Sequence, residues 1–202
     1  MALSPKLKAF EDAFDVLNEY FFESALSKPI LTIAPTPGAY GHFTPWKSWK
    51  DEQGEHYEIN LGAEDIDRPL ENVICTLVHE MVHQYCEENG IKDTSRGNTY
   101  HNKNFKRECE KRHLIVEHDK RVGWGVTKPG PGLVDFCNSG KFEPCRVALH
   151  RQGGFRTIDP AGSGRKQSST RKYVCPKCGM SVRATREVNI GCLDCDEQME
   201  VV

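Results

Sequence analysis

The five residues His79-Glu80-Met81-Val82-His83 restrict what this chain can fold into more than any other string in it. On a helix, positions i and i+4 share a face, so both imidazoles can reach one metal ion with the Glu80 carboxylate beside them. Two histidines and a glutamate on an otherwise apolar helical face are costly to bury for packing alone. The chemistry they favour is hydrolysis by water activated at zinc, with Glu80 as the base. The flanking residues agree with a helix. Asp67 is placed to cap it and Pro69 suits its first turn. Val73, Leu77, Val78, Met81, Val82 and Tyr85 recur at helical spacing over 70–89, and Gly90 offers a stop.

A catalytic zinc usually has three protein ligands and an open fourth position. The long-motif metzincins would need Gly at 86 and His at 89, where this chain has Cys86 and Asn89, so that class is excluded. His101 is the favoured third ligand. It stands where a polar loop gives way to a second helical stretch, with Phe105 four residues on to pack inward. Glu87, Glu88, Asp93 and His113 are rivals on sequence grounds.

Upstream, Ser4 and Pro5 read as N-cap and first residue of an amphipathic helix carrying Leu7, Phe10, Phe14, Leu17 and Phe21 and ending near Ser27. Strands are expected at 30–34, 39–43 and 56–61. The expected class is therefore α+β, a helical core with a small antiparallel sheet. Tyr40, Phe43, Trp46 and Trp49 are expected to close the core over that sheet, the alternative being a substrate-facing or base-stacking surface. From Val122 onward Gly123, Gly125, Pro129, Gly130, Pro131 and Gly132 suggest a loop-rich extension that wraps the domain. A Gly- and Ser-rich basic linker follows over 151–170.

Nine cysteines are an odd number, and four of them form two Cys-x-x-Cys pairs, which argues for metal and free thiols over disulfides. Cys75, Cys86 and Cys109 read as buried thiols, while Cys137 and Cys145 fit no motif. Cys175, Cys178, Cys192 and Cys195 supply four thiolates for a closed structural zinc in a ribbon over 171–202, a segment too short to fold on its own apolar core.

Thr76-Leu77-Val78-His79-Glu80-Met81-Val82-His83-Gln84-Tyr85, followed by Tyr100-His101-Asn102-Lys103-Asn104-Phe105, resembles the metal site of the SprT-like metalloprotease family, which includes the Spartan proteases. Residues 14–22 with Leu26 are similar to that family's first helix, and Glu58-Ile59-Asn60-Leu61 to the strand before its metal-binding helix. The likeness covers roughly 5–112 and the C-terminal cysteines. It implies a zincin-like domain over 1–150, His79, His83 and His101 as zinc ligands, Glu80 as general base, and substrates at DNA, including proteins crosslinked to it. This chain has Tyr100 and Asn102 where typical members flank the third histidine with glycine.

Charge divides the chain. Residues 1–140 carry a net −6 and residues 141–202 a net +4, and between Arg146 and Arg186 there are ten basic residues and one acid. Arg165, Lys166, Arg171, Lys172, Lys177, Arg183 and Arg186 are the candidates for phosphate contact. Lys6, Lys8, Glu11 and Asp12 interrupt any secretion signal, and no run approaches the roughly 18 apolar residues of a membrane span, so a cytoplasmic, nucleoid or nuclear location is expected. The expectation is a zinc metallopeptidase with one catalytic and one structural Zn2+, acting on protein substrates at DNA. The alternative is a non-proteolytic zinc-containing protein that binds nucleic acid.

Overall fold

The computed structural model describes residues 3–152 and 170–202, so the candidates Arg165 and Lys166 lie outside the described residues. The chain divides into two compact units, Met1–Thr157 and Ile158–Val202. Helix and strand mix in the first unit; the second holds strands alone among its described residues. No helix is long and apolar enough to cross a membrane among the described residues.

The first unit opens with α1, Ser4–Phe22, whose Phe10, Phe14 and Leu17 are fully buried along one face. Leu3 rather than Ser4 occupies the N-cap position. The helix stops well before Ser27, because Glu23 and Ser24 turn left-handed, with φ of 56° and 59°. The Asn18 side chain then bridges both backbone groups of Leu26, donating to its carbonyl at 3.0 Å and accepting its N–H at 3.1 Å.

Three strands follow, β1 (Ile30–Ala34), β2 (Gly41–Asp51) and β3 (Gly54–Gly62), in the spatial order β1-β3-β2. β3 pairs antiparallel with β2 but parallel with β1, so the sheet is mixed where an antiparallel one was expected. The hairpin β2–β3 returns its second strand between the first two, a long-range choice that strand periodicity does not encode. Buried Asn60 at the centre is satisfied from both sides: its amide donates to the Ala34 carbonyl at 3.1 Å, and Thr32 donates to its oxygen at 2.8 Å.

β2 runs past the body of the sheet, through a register shift between Thr44 and Trp49. This corrects the expected burial of the aromatics. Trp46 and Trp49 are 64% and 46% exposed, because the projecting hairpin leaves them no second layer to pack against; Tyr40, 55% exposed before β2, meets the Arg68 guanidinium at 3.7 Å, and of the four only Phe43 leans on the core.

α2, Leu70–Glu88, crosses the sheet and buries Val73, Ile74, Leu77, Val78, Met81 and Val82. Pro69 rather than Asp67 sits at its N-cap, and the Asp67 carboxylate instead meets His150 Nδ1 at 2.8 Å. A second sheet, in the order β4-β5-β7-β6, comprises β4 (Thr94–Ser95), β5 (Tyr100–His101), β6 (Leu114–Asp119) and β7 (Gly123–Pro129), with α3 (Lys103–Glu110) between β5 and β6. Arg112, just after α3, is buried between the rings of Phe22 and Tyr85 and pairs with Glu108 at 3.0 Å, locking α1, α2 and α3 together.

β7 and α4 (Pro131–Cys137) correct the reading of 122–143 as loop. The glycines there permit close approach: a Cβ at Gly123 would fall 2.2 Å from the His101 carbonyl oxygen, and one at Gly125 2.4 Å from His101 Nδ1. Beyond α4 the chain does wrap the unit. Phe142, Cys145 and Val147 enter the core, Lys6 donates to the Pro144 carbonyl at 2.9 Å, and the Arg151 N–H reaches the Ala63 carbonyl at 2.8 Å.

In the second unit β8 (Arg171–Val174), β9 (Ser181–Ala184), β10 (Gly191–Cys192), β11 (Glu197–Gln198) and β12 (Glu200–Val201) form a three-stranded sheet, β12-β8-β9, and a two-stranded one, β10-β11. Among its described residues the buried core is Tyr173, Cys175, Cys192 and Met199.

Candidate metal centre and its surroundings

α2 brings His79 and His83 onto one face, and β5 carries His101 up to them. Their ring nitrogens lie within 4.8 Å of one another, and His83 Nε2 is 3.1 Å from His101 Nε2. Three nitrogens about 2.0–2.1 Å from a tetrahedral ion stand roughly 3.4 Å apart, so this donor set fits a metal of that kind.

Each imidazole is oriented through its other nitrogen. Nδ1 of His79 meets Thr127 Oγ1 at 2.9 Å, Nδ1 of His83 meets Asp93 Oδ2 at 2.5 Å, and Nδ1 of His101 meets the Val122 carbonyl at 3.1 Å. With Nδ1 carrying the proton in every case, all three Nε2 lone pairs turn toward one point. Phe105, fully buried, is the floor: its ring centroid lies 4.4–4.7 Å from all three imidazoles.

Asp93 is thus a partner of a candidate ligand and not a ligand itself, and Glu87, Glu88 and His113 do not join the cluster. Thr127 was not visible in the sequence, since it belongs to a strand that its glycines disguise, and Val122 contributes a backbone carbonyl from the turn before it. Asn102 has a local role. Its side chain caps α3, accepting the N–H groups of Asn104 at 2.7 Å and Phe105 at 3.3 Å. Its own N–H donates to the Asp93 carbonyl at 2.8 Å, so the residue fixes the histidine's neighbour and the carboxylate behind His83 together.

Asp93→Ala is expected to weaken metal affinity about 10- to 100-fold, read by competition against a chelator of known affinity.

Glu80 is buried beside the triad and accepts a hydrogen bond from the Phe43 backbone N–H. Gly41 lets β2 come this close, because a Cβ there would stand 2.7 Å from the Asn60 carbonyl oxygen and 3.3 Å from Glu80 Oε1. Burial pushes the Glu80 carboxyl up to about 7, against the opposing pull of His83 and the Phe43 N–H. Burial and the neighbouring imidazoles act the other way on the histidines, holding His79 well below its ordinary value and His101 down to about 4.

These shifts have opposite consequences in metal-free protein. The contribution of His79 and His101 is complete above the ordinary 6.5 and is lost as pH falls, through about 4 for His101; that of Glu80 is complete below 4.5 and is lost as pH rises through about 7. Metal-free Glu80→Gln is therefore expected to gain on the parent in thermal melts between pH 4.5 and 8, with the gap closing at low pH.

In the second unit Cys175, Cys178, Cys192 and Cys195 bring their sulfurs within 4.8 Å of one another, Cys178 Sγ lying 3.7 Å from Cys192 Sγ. Sulfurs 2.3 Å from a tetrahedral ion stand about 3.8 Å apart, so this set also fits. The backbone N–H groups of Cys178 and Lys177 stabilise the Cys175 thiolate, lowering its pKa to about 7. Lys172 and Arg183 are cross-strand partners on the face opposite Tyr173, and Arg171, Lys177 and Arg186 are exposed.

Cys75, Cys86, Cys109, Cys137 and Cys145 are buried and belong to neither cluster; burial raises the thiol pKa of each. Against models of protein families, curated proteins and solved structures, the chain has no match.

Proposed function

We propose that this chain is a zinc metallopeptidase that hydrolyses proteins associated with or crosslinked to DNA, tethered to nucleic acid by its ribbon and basic linker. The observation that carries the proposal is a buried carboxylate, Glu80, set beside three imidazoles whose free nitrogens converge, under the edge of a strand. A purely architectural metal site has no use for such a carboxylate. The resemblance to SprT-like proteases supports the same reading.

His79, His83 and His101 would hold the zinc, which when bound would supply Lewis acidity toward a carbonyl and water and would favour the ionised form of Glu80 at neutral pH. Glu80 accepts the proton of the attacking water and returns it to the departing amine. The Phe43 N–H holds the carboxylate in place while it does so.

β2 supports a peptide substrate. Gly62 N–H donates to the Tyr40 carbonyl at 2.7 Å, and antiparallel alternation then turns the backbone groups of Gly41 and Phe43 away from β3. β2 is an edge strand of its sheet, so the backbone groups of Gly41 and the Phe43 carbonyl can pair with an extended chain added over Glu80, while the Phe43 N–H stays with the carboxylate. Main-chain pairing of this kind tolerates many side-chain sequences.

The test is cleavage of a DNA-binding protein by the zinc-loaded full chain, with no DNA, with single strands and with duplex. Cleavage stimulated by DNA supports the proposal; DNA binding without cleavage of any protein favours the non-proteolytic alternative.

A further inference from the structure

The second sheet has two faces with different chemistry. Strand alternation sends His101, Gly125 and Thr127 inward to the triad, and Tyr100, Trp124, Val126 and Lys128 outward. On the outward face rings and cations are arrayed in one continuous series. The Arg96 guanidinium lies 4.4 Å from the Tyr100 ring centroid, and Tyr100 Oη is 3.1 Å from His118 Nε2. The His118 ring is 4.8 Å from that of Trp124, and Lys106 Nζ is 4.2 Å from Trp124.

None of these five residues is buried. Arg96 and His118 are exposed, and Tyr100, Lys106 and Trp124 are half-buried. Core packing therefore does not account for the series. The Arg96 end is held by a tight tip, with positive φ at Arg96, Gly97 and Asn98 and the Thr99 hydroxyl donating to the Arg96 carbonyl at 2.8 Å.

Charge selects the partner. Arg96 and Lys120 have no carboxylate partner among the described residues, and the acids around the face are already engaged. Glu117 pairs with Lys128 at 2.6 Å and Asp119 with Arg121 at 3.4 Å, while Glu110 stands 3.6 Å from Lys106. Arg96, without a carboxylate partner among the described residues, and Lys106, loosely shared with Glu110, interleave with accessible aromatic faces and match an alternation of phosphates and unstacked bases, which a duplex does not present.

We infer that Arg96, Tyr100, Lys106, His118 and Trp124 form a binding surface for single-stranded nucleic acid on the catalytic unit itself, separate from the ribbon. This deepens the nucleic-acid half of the proposed function and rests on it only for the kind of partner. Tyr100 precedes the candidate ligand His101 directly, so a strand stacked here lies one sheet thickness from the triad. A protein attached to that strand is then delivered to the hydrolytic site.

The chain has three tryptophans, so the full-length Trp46→Phe, Trp49→Phe protein reports Trp124 alone by its fluorescence. Titration with oligo-dT and with oligo-U is expected to quench it. An abasic oligonucleotide of equal length, a duplex and polyglutamate should each quench at least about 5-fold less effectively, because base stacking supplies the difference. Whichever of the two oligomers binds more tightly identifies DNA or RNA as the natural strand.

By anisotropy, Trp124→Leu is expected to weaken oligo-dT binding about 5-fold or more, and so is Arg96→Ala with Lys106→Ala, which tests the surface without removing a ring from the sheet. Absence of quenching, equal quenching by polyglutamate or the abasic strand, or unchanged affinity in the Arg96, Lys106 variant overturns the inference. Peptide hydrolysis is scored separately: quenching without hydrolysis defeats only the peptidase reading, and hydrolysis without quenching defeats only this one.

Discussion

Glu80→Gln is expected to lower peptide hydrolysis by about 10²- to 10⁴-fold while the protein keeps its metal, the range lost when a positioned general base is removed. The two side chains are nearly the same size, and the amide can still accept the Phe43 N–H through its oxygen, so β2 should remain seated against α2. The imidazoles keep their three orienting partners, Thr127, Asp93 and the Val122 carbonyl, none of which touches Glu80. What the variant loses is a group able to take a proton. Measuring zinc content with turnover separates the cases: retained zinc with lost turnover assigns proton transfer to Glu80, and retained zinc with full turnover removes it from the mechanism. The same variant relieves the burial of a titrating carboxyl, so it should be both less active and, without metal above pH 7, more stable.

How far the site could be read in the sequence follows the range of the interactions involved. His79, Glu80 and His83 share one helical turn, and Cys175, Cys178, Cys192 and Cys195 share two short knuckles, so spacing alone groups them. His101 competed with Asp93, Glu87, Glu88 and His113 because its place depends on how a loop closes. Asp93 has the composition of a ligand, yet its carboxylate meets Nδ1 of His83.

Thr127 was hidden for a different reason. Gly123 and Gly125 suggested a loop, whereas the glycines are there because His101 lies against the strand. A glycine that admits a neighbour and one that turns the chain look alike in a sequence. The exposed Trp46 and Trp49 mislead in the opposite direction: aromatic content suggests a core, and only the register shift in β2 reveals that the hairpin leaves it. The parallel pairing of β1 with β3 joins strands separated by a third, which local pattern does not report.

The ribbon should show the largest stability effect of any single substitution. Among the described residues its buried core amounts to Tyr173, Cys175, Cys192 and Met199, so two of these four are themselves candidate ligands. Apolar burial on that scale cannot offset the entropy of ordering some thirty residues, whereas a structural zinc contributes about 10–16 kcal/mol. Cys192→Ser replaces a buried thiolate with a poor zinc ligand and is expected to unfold the whole ribbon. In that variant bound zinc should fall from two ions per chain to one, amide protection across 171–202 should disappear, and peptide hydrolysis without DNA should continue. Lys172 and Arg183 owe their adjacency to the β8–β9 pairing, so unfolding disperses that charge pair and DNA affinity should fall with it. Two zinc ions per chain and a protected ribbon in Cys192→Ser would instead mean that the strands hold themselves together, and the sulfurs would need another role.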